Sequence, residues 1–87
     1  MTLRLLVRDG CHLCEDAAQL LAELGLAFER VDVDGDTALA AAFGDAVPVL
    51  LLGGREIARA PLDRASLVRA LAEEGVASDR ASGEKAG

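Results

Sequence analysis

The chain has 87 residues, 52% of them hydrophobic, with two phenylalanines, no tryptophan or tyrosine, and a formal net charge of −6. That length bounds it to one domain with a small core built from Leu, Val and Ala. The acidity excludes a nucleic-acid phosphate binder, which takes clustered Lys and Arg, and two aromatics cannot supply a base-stacking platform. No run approaches the length of apolar residues that a membrane span requires. Residues Met1 to Arg8 are too short and too interrupted for a signal peptide, so a cytoplasmic location is expected.

Leu3 to Val7 is an apolar run interrupted by Arg4 and reads as a strand. Arg8-Asp9-Gly10 is a turn. A helix is expected from about Cys11 to Leu24, with Leu13, Ala17, Leu20, Leu21 and Leu24 on one face at helical spacing. Glu15 and Asp16 fall in its first turn, where the helix dipole favours acids, and Gly25 suits the stop. Ala27 to Val33 reads as a second strand, with Val31 and Val33 on one face. Asp36 can cap a short helix over Thr37 to Phe43, ended by Gly44.

Val49-Leu50-Leu51-Leu52, bounded by Pro48 and Gly53, fits a strand buried on both faces. Gly53-Gly54 is a hairpin signal, so Arg55 to Ala58 should return antiparallel. Pro61 marks a loop-to-helix break. The last helix should start near Asp63 as cap, with Leu62 and Leu67 as a hydrophobic staple, and stop at Gly75. Residues 77–87 lack apolar periodicity and are expected to form a disordered tail after a domain over 1–76. The order β-α-β-α-β-β-α implies an α/β fold: a four-stranded mixed sheet with helices on both faces.

The only two cysteines stand three apart as Cys11-His12-Leu13-Cys14, between the first strand and the first helix. A turn after a buried strand delivers Cys11 to the end of a sheet, where helix amides and the positive dipole end favour thiolate, the reactive form. The pair therefore reads as a dithiol redox site, with Cys11 as nucleophile and Cys14, one turn on and deeper, as the resolving thiol. Two alternatives stand beside this reading. The cysteines could be small core hydrophobes in a binding module, although polar Arg8, Asp9 and His12 argue against burial of Cys11. Or Cys11 and Cys14 could bind or transfer a metal; two Cys and one His fall short of the four ligands of structural zinc, while copper(I) accepts two thiolates.

The element order with C-x-x-C opening the first helix resembles the thioredoxin fold, and within it the glutaredoxin-like branch, over roughly Leu3 to Glu74. Arg8 stands three residues before Cys11, where glutaredoxins commonly carry a Lys. Gly25-Leu26-Ala27-Phe28 enters the second strand as the family's does. Ala46-Val47-Pro48 matches the family's Thr-Val-Pro segment, whose proline is cis and faces the cysteines. Cys-His-Leu-Cys-Glu-Asp-Ala also looks like a group of small glutaredoxin-like bacterial proteins.

The resemblance implies a thiol–disulfide oxidoreductase without bound cofactor or metal, acting through Cys11 and Cys14. Arg8, His12, Val47 and Pro48 would border the substrate, a disulfide-containing protein or a low-molecular-weight thiol. The sequence departs from the family at the glutathione-gripping Gly-Gly and following acids, where Ala58-Arg59-Ala60-Pro61 stand instead. It also has His12-Leu13 in place of Pro-Tyr between the cysteines. Weak glutathione dependence is therefore expected.

Overall fold

The computed structural model describes residues 2–76; the expected tail, 77–87, lies outside the described residues. In chain order the elements are β1 (Leu3–Val7), α1 (His12–Glu23), β2 (Glu29–Asp32), a 3-10 turn (Val33–Gly35), α2 (Thr37–Phe43), β3 (Val49–Leu52), β4 (Arg55–Arg59) and α3 (Arg64–Glu73). The sheet runs β2-β1-β3-β4. β1 pairs parallel with β2 and antiparallel with β3, and β3 pairs antiparallel with β4. This is the expected mixed four-stranded α/β sheet.

Alternation along β1 builds two cores. Leu3, Leu5 and Val7 face one side, where they gather with Leu50 and Leu52 of β3, Cys14, Ala17, Ala18 and Leu21 of α1, and Leu67 and Leu71 of α3. Leu6 faces the other side with Val33, Val49 and Leu51, and Leu39 and Phe43 of α2 cover them. Thus α1 and α3 lie on one face and α2 on the other. β3 is buried at all four positions, as a continuous apolar run between two layers should be.

Chain reversals follow local chemistry. Gly53 and Gly54 take φ of +60° and +88°, the left-handed values that a two-residue hairpin turn of the I′ kind demands. The ends of α1 and α3 are closed alike. Gly25 and Leu26 amides donate to the Ala22 and Leu21 carbonyls, and Gly75 and Val76 amides to those of Ala72 and Leu71. Asp36 caps α2 by accepting from the Ala38 and Leu39 amides. Asp63 caps α3 in a reciprocal box with Ser66: its carboxylate accepts from the Ser66 amide at 2.8 Å, and Ser66 Oγ accepts from the Asp63 amide at 3.1 Å.

Two expected boundaries shift. The second strand was expected over Ala27 to Val33, but pairing covers only Glu29–Asp32. The Asp32 carboxylate accepts from the Asp34 amide at 2.9 Å and caps the 3-10 turn, which pulls Val33 off the strand and into the second core. β4 extends one residue further than expected and carries an irregularity opposite Leu50 and Leu51, so that Ile57 is the unmatched residue.

Two predictions follow from this packing. Leu50 is fully buried between the layers, so Leu50→Ala should lower unfolding free energy by about 2–5 kcal/mol in a urea titration. The hydrogen bonds from Ser66 hold the Asp63 carboxyl below the usual aspartate range. A depressed folded-state value stabilises above the unfolded value of about 3.9 and is lost as pH falls through the folded one. The urea midpoints of the native protein and Asp63→Ala should therefore differ at neutral pH and converge as pH falls through the depressed folded-state value.

Candidate active site at the carboxyl end of the central strand

β1 ends at Val7, and the turn Arg8–Cys11 is closed by the Cys11 amide donating to the Arg8 carbonyl at 3.2 Å. Gly10 has φ +75° with nothing within 4 Å of where a Cβ would stand, so the turn asks for glycine by conformation and not by space. Cys11 itself is the N-cap of α1, with an extended backbone. Its Sγ accepts from the Cys14 amide at 3.1 Å. An amide donor and the positive end of a 12-residue helix thus both converge on this sulfur.

Cys11 is half-buried against the first core, and Cys14 is wholly buried in it. The two sulfurs are bonded to each other, across a Cα–Cα distance of 5.2 Å. Only one sulfur of the pair is therefore open to a reagent. Among the described residues no group of three or more His, Cys, Asp or Glu side chains gathers where it could hold a metal ion.

The antiparallel register pairs Leu6 with Val49. Continued by one and two residues, it sets Pro48 against Val7 and Val47 against Arg8, at the end of the sheet from which Cys11 issues. The Val47–Pro48 bond is cis. Pro48 is buried and its carbonyl accepts from the Ala60 amide at 2.9 Å. Val47 packs against both cores and shares the first with Cys11. The Ala60–Pro61 bond is cis as well, which the sequence signalled only as a break before the last helix.

Two arginines near this end are matched to acceptors on other elements. The Arg8 guanidinium donates to both oxygens of Asp34 at 3.2 Å and to the Gly44 carbonyl at 3.0 Å. It ties the end of β1 to the 3-10 turn and the end of α2. The hydrogen bond to Asp34 is the main reason its proton is held more tightly than in a free arginine, and the charges of Asp34, Asp45 and Asp32 add to it. Glu15, in the first turn of α1, accepts from Arg30 at 2.6 Å, which keeps its carboxyl below the usual range. His12 is open to solvent, with Nε2 3.6 Å from the Asp16 carboxylate, a pairing that carries charge only when the imidazole is protonated.

Leu13 departs from its expected place. The helical spacing put it on the inward face, but it is 56% exposed. The buried stripe is Cys14, Ala17, Ala18 and Leu21. Leu13 lies about 100° round the helix from Cys14, off the stripe that α1 buries. The spacing of Cys14, Ala17, Ala18 and Leu21 carried that signal, had Cys14 been counted among the core residues. The Arg8 clasp had no comparable signal, since its partners are a turn aspartate and a backbone carbonyl 36 residues away.

The model of the glutaredoxin-like domain (DUF836) matches residues 2–72. This chain belongs to that glutaredoxin-like family. The uncharacterized protein Rv0508 of Mycobacterium tuberculosis is 46% identical over 61 residues, a match that covers 60% of this chain and spans 63% of the length of that relative. The X-ray structure of protein XcR50 from X. campestris is 42% identical, with a TM-score of 0.74 over 83% of this chain and 97% of its own. A buckwheat glutaredoxin, solved in complex with glutathione, shares the fold at 22% identity and a TM-score of 0.57, over 87% of this chain and 81% of its own.

In this glutaredoxin-like protein the burial difference within the dithiol sets an order of reactivity. After reduction, brief iodoacetamide treatment followed by mass mapping should label Cys11 well before Cys14. Preferential labelling of Cys14 would reverse the assignment of roles.

Proposed function

We propose that this protein is a thiol–disulfide oxidoreductase in which Cys11 is the nucleophile and Cys14 the resolving thiol. The observation that carries the reading is the pair itself: an accessible N-cap sulfur, hydrogen-bonded by a helix amide and bonded to a buried sulfur one turn on.

In the reduced form the Cys11 thiolate attacks one sulfur of a substrate disulfide. A Cys11–substrate bond forms, the substrate's own S–S bond breaks, and the departing sulfur takes a proton. Cys14 then loses its proton and attacks Cys11. The Cys11–Cys14 bond forms and the second substrate sulfur leaves as a thiol. Two electrons pass from the protein to the substrate, with one proton from Cys14 and one from solvent, and an external thiol reductant must return the electrons.

The helix amides lower the cost of the Cys11 thiolate, and burial of Cys14 keeps that thiol from competing for the first attack. In this reading Val47 and Pro48 flank the substrate. Arg8 and His12 border it, each already facing a carboxylate of this chain. The partners are disulfide-bearing proteins or low-molecular-weight thiols, and no bound cofactor enters any step. A reducing compartment such as the cytoplasm suits a dithiol that works by recycling. Among the described residues no helix is long and apolar enough to cross a membrane.

The test is a pair of variants. Cys11→Ser should bring reduction of bis(2-hydroxyethyl) disulfide by the dithiothreitol-recycled protein down to the rate of dithiothreitol alone. Cys14→Ser should accumulate a mixed disulfide at Cys11, seen as a mass increase of one substrate half. Retained turnover in Cys11→Ser, or no adduct in Cys14→Ser, would overturn the proposal.

A further inference from the structure

Leu13 is the one large apolar side chain left exposed among the described residues, and it stands between the two cysteines. The other leucines of α1 point into or against the core. A substrate sulfur joined to Cys11 brings its own neighbouring side chains up to this same helical turn, where Leu13 offers a water-exposed surface that an apolar group would cover.

The charges beside it point the same way. The Arg8 guanidinium has three hydrogen bonds, to Asp34 and to the Gly44 carbonyl. Arg30 is held by Glu15, and His12 faces Asp16. Both arginines around the first turn of α1 thus already meet an acceptor of this chain. Asp9 and Asp45 add exposed negative charge to the segments that follow β1 and α2. A substrate carboxylate arriving here finds no uncommitted cation from these elements and a surplus of anions.

We infer that Leu13 is a specificity-determining residue: the dithiol takes protein disulfides with an apolar side chain next to the reacting cysteine, in a segment free of acidic residues, in preference to small anionic disulfides such as that of glutathione. This rests on the thiol-exchange reading above and narrows it to a substrate class. Specificity here comes from one covered apolar side chain and from repulsion of the wrong partner, and needs no dedicated pocket.

The experiment uses short peptides with one cysteine, each joined by a disulfide to 2-mercaptoethanol. The residue after the cysteine is Leu or Ser, and the flanks carry Lys or Glu. Loss of thiols from the reduced full-length protein gives a rate for each peptide, divided by the rate of the same peptide with dithiothreitol to remove intrinsic reactivity. The native protein should favour the Leu peptide over the Ser peptide by about tenfold, the scale of a small apolar contact. It should favour Lys flanks over Glu flanks, and this second gap should close as salt is raised to about 1 M. Leu13→Gln should reduce the Leu-over-Ser ratio to about twofold, and Leu13→Met should restore it.

Equal rates on the Leu and Ser peptides, or a ratio that Leu13→Gln leaves unmoved, would overturn the inference while leaving thiol exchange standing. Faster reaction of Glu-flanked peptides would overturn it too. Failure of the native protein to react with any peptide or with neutral bis(2-hydroxyethyl) disulfide would instead overturn the underlying reading. The comparison on native protein tests the substrate class even if one Leu13 variant does not fold, and Leu13→Met or Leu13→Gln, whichever folds, tests the role of Leu13.

Discussion

β1 is paired on both edges and packed on both faces, and the placement of the dithiol depends on that. Leu5 and Leu6 are fully buried on opposite sides of the sheet, so a shift of one residue would exchange the two cores. With register fixed, the end of the strand at Val7 is fixed, and Cys11 follows through a four-residue turn closed by one backbone hydrogen bond. The same register carries Pro48 and Val47 of the antiparallel neighbour to that end. Two segments far apart in sequence thereby meet at one end of the sheet because a central strand has a single way to bury its leucines.

Helix α1 does two tasks with one stripe. Cys14, Ala17, Ala18 and Leu21 fasten it to the sheet. The small alanines allow close approach, and Cys14 is at once a core residue and the bonded partner of Cys11. Its neighbour Cys11 is left at the cap, where amides lack partners within the helix and a sulfur can accept from one. The helix is therefore anchored by the less accessible member of the pair, and the more accessible member sits where the helix field is strongest. The exchange proposed for this pair uses both environments.

The charges near the site are arranged as matched pairs between elements. Arg8 joins the end of β1 to the 3-10 turn and to α2, and Arg30 of β2 meets Glu15 of α1. Each of these ion pairs is exposed and contributes little energy alone. Their effect at the site is to fix which charges are spoken for. Glu15 would otherwise disfavour a thiolate one turn away, and Arg30 offsets it. Leu13 stays uncovered above this rim, where Asp9 and Asp45 leave an excess of negative charge.

The sequence by itself determined the element order, the caps at Asp36 and Asp63, the hairpin at Gly53-Gly54 and the dithiol at the head of a helix. All of these are local: a capping carboxylate, a left-handed glycine pair or a strand-turn-helix succession acts within a few residues and is legible as a string. Helix periodicity nonetheless put Leu13 inside. A period records which residues share a face, and it does not record which part of that face the neighbouring elements cover. Strand pattern likewise ran through Val33, where the Asp32 side chain turned the backbone away. Only the tertiary structure decided that Arg8 belongs to Asp34 and the Gly44 carbonyl, that Glu15 belongs to Arg30, and that Cys14 takes the buried place while Leu13 remains in water. Those outcomes depend on which surfaces are brought together when the sheet closes, and long, flexible charged side chains choose partners by distance in space, which residue type and spacing do not encode.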